Sequence, residues 1–329
     1  MLVLTRDDIR QAVPMADAMD AVAAAFAQFS GGQATVPLRP HLPIPPHDGL
    51  LLVMPAYLAG SDALAVKALS LYPRNPSDRN LPAISALVLL FDAATGLPLA
   101  LMDGGYLTAL RTGAASGAAT RLMARDAATV LALFGAGAQA LPQAWAVCAA
   151  RDIRRIWLVN RTAAHAEQLA EELRAFGPPI PGDVRIAASP RDALAEASVV
   201  CCATASSAPL FADPDLRPGT HINGIGAYTA AMREVPGPTV ARARVIVDQR
   251  QAAWAEAGDL VLARDEGLID QAHVAGELGE VVLGRVPGRT DPDQITFFKS
   301  VGIAVQDAAV AQLAYRRARE RGLGTEAPL

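Results

Sequence analysis

Hydrophobic residues recur at helical spacing near the start of the chain and in short runs after residue 36. The first pattern predicts a helix over residues 4–29, with Thr5 as a possible N-cap and residues 30–32 as its end. Turn signals separate the later runs at hairpin-like distances, which predicts an antiparallel sheet in a domain of its own. These runs cover residues 37–46, 49–54, 64–72, 85–91 and 98–103.

A different pattern follows a helix predicted over residues 107–123, whose small residues would let it lie close to another backbone. From residue 129 onward apolar runs alternate with helical segments, which is typical of a doubly wound parallel sheet. A last helix over 301–321 could return to the first domain, and the tail from Gly322 is expected to be disordered. The predicted strands are 129–134, 156–159, 184–187, 199–202, 221–225 and 245–247.

Composition narrows the class of protein. A chain of 329 residues fits two domains, and a net charge of −4 without a basic cluster argues against nucleic-acid or anionic-lipid partners. We expect no signal peptide and no membrane association, because no apolar run approaches the roughly 18 residues of a membrane span. The three cysteines and five histidines show neither a disulfide pattern nor metal-ligand spacing, so we expect a cytoplasmic protein without a metal site.

A glycine turn carries the most specific local signal. The sequence Phe-Gly-Ala-Gly-Ala-Gln-Ala at 134–140 follows the strand at 129–134 and precedes a helical segment at 141–150. Pyrophosphate must approach backbone N–H groups at a helix N-terminus, and Gly135 and Gly137 leave room for that approach. The context therefore predicts a dinucleotide-binding turn, with a plain glycine-rich loop as the alternative.

Cofactor choice is expected at the end of the next strand, 156–159, which is followed by Asn160, Arg161 and Thr162. An acidic residue at this position would accept the ribose 2′-OH of NAD, and none is present. Arg161 could pair with a 2′-phosphate, and Asn160 and Thr162 could add hydrogen bonds. The sequence thus favours NADP(H), with NAD(H) possible, unless Arg161 is an ordinary solvated arginine.

Three cations of the first domain have no evident partner in the sequence. Lys67 shares a strand face with Leu69 and Leu71, and a buried ammonium needs a carboxylate or an anionic ligand. The alternative is an edge-strand lysine that keeps the sheet soluble. Arg111 lies in an apolar, small-residue stretch, and Arg39 lies in a proline-bounded segment. Together the three could bind a small carboxylate, although each alone could be a surface residue.

The chain resembles the ornithine cyclodeaminase/mu-crystallin family over nearly its whole length. The likeness implies an α/β fold with a Rossmann-type doubly wound parallel sheet and a second α+β substrate and dimerisation domain formed by both termini. It implies a homodimer with domains at 1–120 plus 303–329 and at 121–302. The matching stretches are 54–56, Lys67, 81–87, 110–114, the turn at Gly135, 219–223, 276–280 and 298–302.

The resemblance also implies site residues. Arg39, Lys67 and Arg111 match the positions that bind the substrate carboxylate, and Ala138 and Gln139 match those at the pyrophosphate. The remaining positions implied to line the cofactor are Thr112, Thr204, Asn223, Gly224, Ile225 and Ser300.

Two departures separate this chain from the cyclodeaminase branch. Leu52 stands where that branch has an acid for the distal amine of the substrate, and Tyr228 stands where it has a catalytic aspartate. A phenol with a reference pKa of about 10 is a poor general base near neutrality. We therefore expect reduction of a small ketimine carboxylate, such as Δ1-pyrroline-2-carboxylate, with Lys67 and Arg111 as catalytic residues. Tyr228 is either the proton donor or a structural tyrosine.

Three alternatives stay open on the sequence alone. One is an ornithine cyclodeaminase-type ammonia lyase that recycles NAD, and another is an amino-acid dehydrogenase with alanine-like substrates. The third is a non-enzymatic protein that binds NADPH and a small carboxylate.

Overall fold

The computed structural model describes residues 1–37 and 39–328. The chain forms two units: the first comprises Met1–Arg111 and the chain from Ile303 onward, and the second comprises Thr112–Gly302. One boundary between the units lies at 302/303. The other boundary lies at 111/112, inside the continuous helix Gly104–Met123, whereas 120/121 was expected.

The first 123 residues supply the antiparallel part of the first unit and one helix that continues into the second. The expected hairpin runs are confirmed, because the strands at 49–58, 63–71, 84–92 and 98–103 pair antiparallel in sequence order. In chain order the elements are β1 (Leu2–Leu4), α1 (Arg6–Ala12), α2 (Met15–Ser30), β2 (Ala34–Thr35), β3 (His41–Ile44), β4 (Gly49–Leu58), β5 (Ala63–Leu71), α3 (Asn75–Arg79), β6 (Ile84–Asp92), β7 (Pro98–Asp103) and α4 (Gly104–Met123).

The single helix expected over residues 4–29 is wrong. Val13 is extended, with φ −121° and ψ 98°, and Pro14 precedes the first residue of α2. Proline lacks an N–H donor and disfavours the helical region for the residue before it, so the helix ends there and a new one begins. Thr5 does cap α1, in a capping box with Asp8.

The second unit is built around a parallel sheet. From edge to edge, its strands are residues 184–186, 155–159, 130–134, 199–202, 221–224, 296–299, 244–247 and 274–277. The six strands expected here are present, and the strands at 274–277 and 296–299 were missed. The elements are β8 (Val130–Phe134), α5 (Ala140–Ala150), β9 (Arg155–Val159), α6 (Ala163–Phe176), β10 (Val184–Ile186), α7 (Pro190–Leu194), β11 (Val199–Cys202), β12 (His221–Gly224), α8 (Gly237–Arg242), β13 (Arg244–Val247), α9 (Arg250–Glu256), α10 (Gly258–Asp265), β14 (Val274–Glu277), α11 (Leu278–Val282) and β15 (Thr296–Lys299).

Both faces of the parallel sheet are buried. Along β8, Leu131 and Leu133 belong to one hydrophobic cluster, whereas Ala132 and Phe134 belong to another. Strands covered on both faces explain the continuous apolar runs in the sequence. The strand order changes direction between β8 and β11, so the carboxyl ends of these two strands mark the topological switch point, where ligands of open α/β sheets bind.

The chain then returns to the first unit as α12 (Ala304–Arg321) and β16 (Thr325–Glu326). As expected, α12 packs on that unit, against α2, β4, β5 and β6. The expected disorder of the tail from Gly322 is wrong, because β16 pairs with β1, which in turn pairs with β7. A two-residue strand of Thr and Glu has no apolar alternation, so no pattern could announce it. Among the described residues, no helix combines the length and the apolar character needed to cross a membrane.

Candidate active site

Lys67 lies in the middle of the antiparallel sheet rather than at its edge. It pairs with Met54 of β4 on one side and with Val88 of β6 on the other, and its side chain is 1% exposed. The edge-lysine alternative is therefore wrong. The ammonium donates a hydrogen bond of 2.8 Å to Oδ2 of Asp307, which α12 supplies from 240 residues further along the chain.

Asp307 also holds the second cation. Nε of Arg111 donates to the other carboxylate oxygen, Oδ1, at 3.1 Å, and Nη1 donates to Oε1 of Gln306 at 2.6 Å. Arg111 is 7% exposed, so these contacts fix the guanidinium in a largely buried position. One carboxylate thus bridges two cations. Lys67, Arg111 and Asp307 together keep a net positive charge, which a further anion can neutralise.

Both Arg111 and Arg39 act electrostatically on Lys67. Burial lowers the pKa of its ammonium from 10.5 to about 8; Asp307 opposes this shift, and Arg111 and then Arg39 add to it. Arg39 is half-buried. Bringing a ligand carboxylate to this cluster would relieve repulsion among the cations and stabilise the charged lysine.

Sequence reasoning missed Asp307 and Gln306. Both are buried, and they interrupt an otherwise apolar stretch of α12 that includes Val305 and Ala308. Two polar side chains on the buried face of a helix rarely occur without a partner. That pattern was the signal available in the sequence, although it could not have identified Lys67 and Arg111 as the partners.

In the second unit the glycine turn lies at the switch point, directly after β8. Gly135 has φ +103°, and its N–H donates to the carbonyl of Val159 at 2.9 Å. A Cβ on Gly135 would lie 2.5 Å from the carbonyl oxygen of Ala203, whereas a Cβ on Gly137 would meet nothing within 4 Å. No side chain caps the start of α5. The space at Gly137 and the uncapped helix start fit a dinucleotide pyrophosphate.

The end of β9 leaves one cation accessible. Nδ2 of Asn160 donates to the carbonyl of Thr162 at 2.9 Å, so Asn160 shapes the turn. Arg161 is exposed and makes no ion pair or hydrogen bond with another described residue. It is therefore available to a ligand that approaches this strand end.

Other residues implied to line the cofactor are engaged within the second unit. The hydroxyl of Thr204 donates to Glu234 at 2.8 Å, the amide of Asn223 donates to Thr120 at 2.9 Å, and the hydroxyl of Ser300 donates to Asp248 at 2.8 Å. These three positions can thus offer backbone contacts, and Thr204 also its methyl group, more readily than their polar side-chain groups. Three further positions, Thr112, Gly224 and Ile225, are buried.

Tyr228 lies in the loop after β12 and is 44% exposed. Its hydroxyl makes no hydrogen bond with another described residue, so it is free to meet a ligand. Among the residues with described positions, no group of three or more His, Cys, Asp or Glu side chains could hold a metal ion.

Comparison with known proteins finds relatives along the whole chain. The chain is 38% identical over 326 residues to a Δ1-pyrroline-2-carboxylate reductase of Bacillus cereus, covering 98% of each chain. The structure of Thermococcus litoralis Δ1-pyrroline-2-carboxylate reductase in complex with NADH and L-proline matches with a TM-score of 0.94 at 39% identity, covering 99% of this chain and 100% of that one. An archaeal alanine dehydrogenase dimer with bound NAD matches with a TM-score of 0.90 at 32% identity, covering 99% and 98%.

A sequence profile covers almost the full length as well. The profile of the ornithine cyclodeaminase/mu-crystallin family matches residues 1–322, from the first strand of the antiparallel sheet to the end of α12. The chain therefore belongs to the ornithine cyclodeaminase/mu-crystallin family.

Proposed function

We propose that the protein is an NAD(P)H-dependent reductase of small ketimine carboxylates, with Δ1-pyrroline-2-carboxylate as the leading substrate. The observation that carries this proposal is the buried pair of Lys67 and Arg111, held by one carboxylate, in a chain whose other unit has a glycine turn with room for a pyrophosphate. The similarity to two Δ1-pyrroline-2-carboxylate reductases supports the choice of substrate.

The residues divide the chemistry among them. Lys67, Arg111 and Arg39 bind the α-carboxylate. This contact fixes the position of the adjacent C=N carbon in the site. The backbone from Gly135 to Gln139 holds the pyrophosphate, and Thr112, Thr204, Ser300 and the segment 223–225 line the nicotinamide half. When bound, the reduced nicotinamide supplies the hydride that adds to the C=N carbon. The imine nitrogen takes up a proton and becomes the amine, with the Tyr228 hydroxyl or a water molecule as the donor.

The face that carries Lys67 argues against a diamino-acid substrate. Leu52 lies two residues from Met54 on β4, and the strand register places both on the same face as Lys67. A distal ammonium directed to Leu52 would lose its water without gaining a partner, which is unfavourable for a buried charge. Tyr228, in place of an aspartate, removes the base that amine oxidation requires. Both features favour reduction of a preformed ketimine over cyclodeamination.

Amino-acid dehydrogenation is the second candidate, because the archaeal alanine dehydrogenase shares the fold at 32% identity. The two activities differ in their need for ammonia. A ketimine reductase consumes NAD(P)H with the cyclic imine alone, whereas reductive amination of pyruvate requires ammonia as well. We expect NAD(P)H to be oxidised when Δ1-pyrroline-2-carboxylate or Δ1-piperideine-2-carboxylate is added without ammonia. The decrease in the absorbance of NAD(P)H measures this reaction. Absence of turnover with both imines would refute the proposed activity.

We also propose that the cofactor is NADPH in preference to NADH, with Arg161 as the residue that binds the 2′-phosphate. Arg161→Asp should lower the ratio of kcat/KM with NADPH to that with NADH by about tenfold or more, since a charge-assisted contact contributes roughly 1.5–3 kcal/mol. Steady-state kinetics with both cofactors measures this ratio. Arg154→Asp is the control, because Arg154 is an exposed arginine at the other end of β9. An unchanged ratio in Arg161→Asp would show that cofactor choice is made elsewhere.

The antiparallel sheet points to a homodimer, which we propose as the working assembly. The face opposite Lys67 carries Val53, Val66, Leu87, Leu89 and Phe91 at alternate positions, and these side chains are only partly buried. Leu87 is 52% exposed in the middle of β6. A contiguous apolar face of this kind marks an interface between protein chains.

The dimer is tested by Leu87→Lys, which should raise the dimer dissociation constant by about tenfold or more, because it places a charge inside an apolar interface. Sedimentation equilibrium measures the shift. Leu268→Lys, at an exposed leucine of the second unit, is the control. A monomeric wild-type protein at micromolar concentration would contradict the assembly.

A further inference from the structure

The Glu234 side chain is fully buried in the second unit, and four donors surround its carboxylate. Oε1 accepts from N and Oγ1 of Thr204 at 2.6 and 2.8 Å. Oε2 accepts from the backbone N of Gly226 at 2.7 Å and of Ala227 at 3.2 Å. Burial raises the pKa of the Glu234 carboxyl, and Lys299 and the Thr204 donors oppose that shift. Every hydrogen-bond partner is a donor, which favours the ionised form that only accepts.

The four donors belong to two different loops. Thr204 follows β11, and Gly226 and Ala227 follow β12, the neighbouring parallel strand. A Cβ on Gly226 would lie 2.1 Å from the carbonyl oxygen of Thr204, so the loops are in direct backbone contact. Glu234 therefore joins two loops at the carboxyl edge of the sheet, beside the switch point.

Thr204 extends this connection to the dinucleotide turn. Its methyl carbon would lie 3.1 Å from a Cβ placed on Gly135, and the preceding carbonyl, that of Ala203, would lie 2.5 Å from it. Any shift of the loop after β11 would thus change the space around the glycine turn. Glu234 therefore fixes the loops after β11 and β12 relative to each other, and the loop after β11 packs directly against the turn after β8.

A second layer of charges holds Glu234 itself. Oδ1 of Asp259 accepts from the backbone N of Glu234 at 2.7 Å and of Val235 at 2.9 Å. Nζ of Lys299 lies 3.1 Å from Oδ2 of Asp259, and both side chains are fully buried. That contact is an ion pair by distance, although its angle lies outside hydrogen-bond geometry. Lys299 ends β15, next to β12, so the cluster is anchored in the sheet.

We propose that Glu234 is a positioning residue for the cofactor: it holds the loops that carry Thr204 and Gly226 in the arrangement that receives the nicotinamide half. The proposal rests on the proposed reductase activity for its kinetic consequences, but cofactor binding tests it directly. Asp259 and Lys299 support Glu234 but make no hydrogen bond to the Thr204 or Gly226 donors. A buried carboxylate is unfavourable unless it is hydrogen-bonded, and the donors of these two loops offset that cost.

The test is Glu234→Gln in the full-length protein. Glutamine has one acceptor oxygen and one NH2 group, so one pair of donors must face another donor whichever way the amide turns. We expect the dissociation constant of NADH and of NADPH to rise about tenfold or more and kcat to fall, since a buried donor left unsatisfied is strongly unfavourable. The KM for the ketimine should stay within about twofold, because Lys67 and Arg111 lie in the other unit.

Asp213→Asn is the matched control. Asp213 Oδ1 accepts from Thr239 and Arg242 at 2.7 Å each, so it is also a carboxylate that joins two segments of the second unit. Its partners lie in α8, away from the Thr204 and Gly226 donors. We expect cofactor affinity in this variant within about twofold of wild type. A tenfold loss in Asp213→Asn as well would show that any lost carboxylate of this unit weakens binding, and would overturn the specific role of Glu234.

Hydrogen exchange separates positioning from general stability. In Glu234→Gln, amides at 203–206 and 225–228 should exchange faster, while amides of β8 and β11 keep their protection. Faster exchange throughout the sheet, or a lower melting temperature with unchanged cofactor affinity, would overturn the proposal.

If Glu234→Gln does not fold, Thr204→Val is the second test, because it removes only the hydroxyl donor. This variant should also weaken cofactor binding, by a smaller factor. Unchanged cofactor binding in Thr204→Val would refute the proposal too. Wild-type protein that binds NADH but reduces no ketimine would count against the proposed activity alone, and the binding comparison would still decide the role of Glu234.

Discussion

Replacing Lys67 with methionine is expected to lower kcat/KM for ketimine reduction by about a hundredfold or more. Methionine has a similar unbranched shape without charge, so it leaves Asp307 paired with Arg111 alone. The remaining pair is neutral, and the substrate carboxylate loses both a hydrogen-bond donor and the net positive charge. Removing one member of a buried, hydrogen-bonded charge pair costs roughly 2–5 kcal/mol, and about 1.4 kcal/mol corresponds to a factor of ten.

Steady-state kinetics and thermal unfolding of the same variant measure this effect. Lys67→Met combined with Asp307→Asn is the control, because the second change removes the incompletely paired carboxylate and should restore stability without restoring activity. Activity of Lys67→Met within fivefold of wild type would show that the lysine does not bind the substrate.

Wild-type kcat/KM should also decline as the pH rises through about 8, since Lys67 is charged below its lowered pKa and neutral above it.

Local patterns predicted the parts of this fold whose cause is local. Alternating strand and helix signals located β8, β9, β10, β11, β12 and β13, and the strand–turn–helix context located the glycine turn. The strand alternation placed Lys67 on one face with Leu69 and Leu71, which the register of β4, β5 and β6 confirms. In each case a short stretch contains both the signal and the structure that it specifies.

The residues that the sequence did not reveal act over long separations. Lys67 and Asp307 are 240 positions apart, and Thr204 and Glu234 are 30 apart with the strand β12 between them. No periodicity connects such pairs, because each partner satisfies its own local pattern whether or not the other is present. The short strands β1 and β16 were missed for the same reason: pairing between the two ends of the chain defines them.

The two units nevertheless share one feature in their buried polar groups. In each unit a buried carboxylate from a distant segment, Asp307 or Glu234, holds groups that sequence reasoning had assigned to ligand binding. Loops and long cationic side chains are mobile unless something fixes them, and binding is weaker when the ligand must order them. The candidate site therefore depends on residues that need not touch a ligand, and these are the residues that motif matching overlooks.

Exchanging the two glycines of the dinucleotide turn for alanine should separate folding from cofactor binding. Gly135→Ala places a Cβ about 2.5 Å from the carbonyl oxygen of Ala203 at φ +103°, so the chain must shift. A left-handed conformation alone costs a non-glycine residue roughly 1–3 kcal/mol, and the contact adds to that cost. We expect the melting temperature to fall by about 5 °C or more, since about 1 kcal/mol lowers it by 2–4 °C in a unit of this size.

Gly137→Ala is expected to have the opposite profile, because its Cβ would enter open space and its backbone does not have a positive φ. The melting temperature should stay within about 2 °C, while the dissociation constants of NADH and NADPH rise about tenfold or more, since the methyl group occupies the approach of the pyrophosphate. Gly182→Ala, which also meets nothing within 4 Å, is the control and should change neither quantity. Differential scanning fluorimetry and fluorescence titration decide between the outcomes. Unimpaired cofactor binding in Gly137→Ala would mean that the turn after β8 does not receive the pyrophosphate, and the proposed reductase would then lack its hydride source.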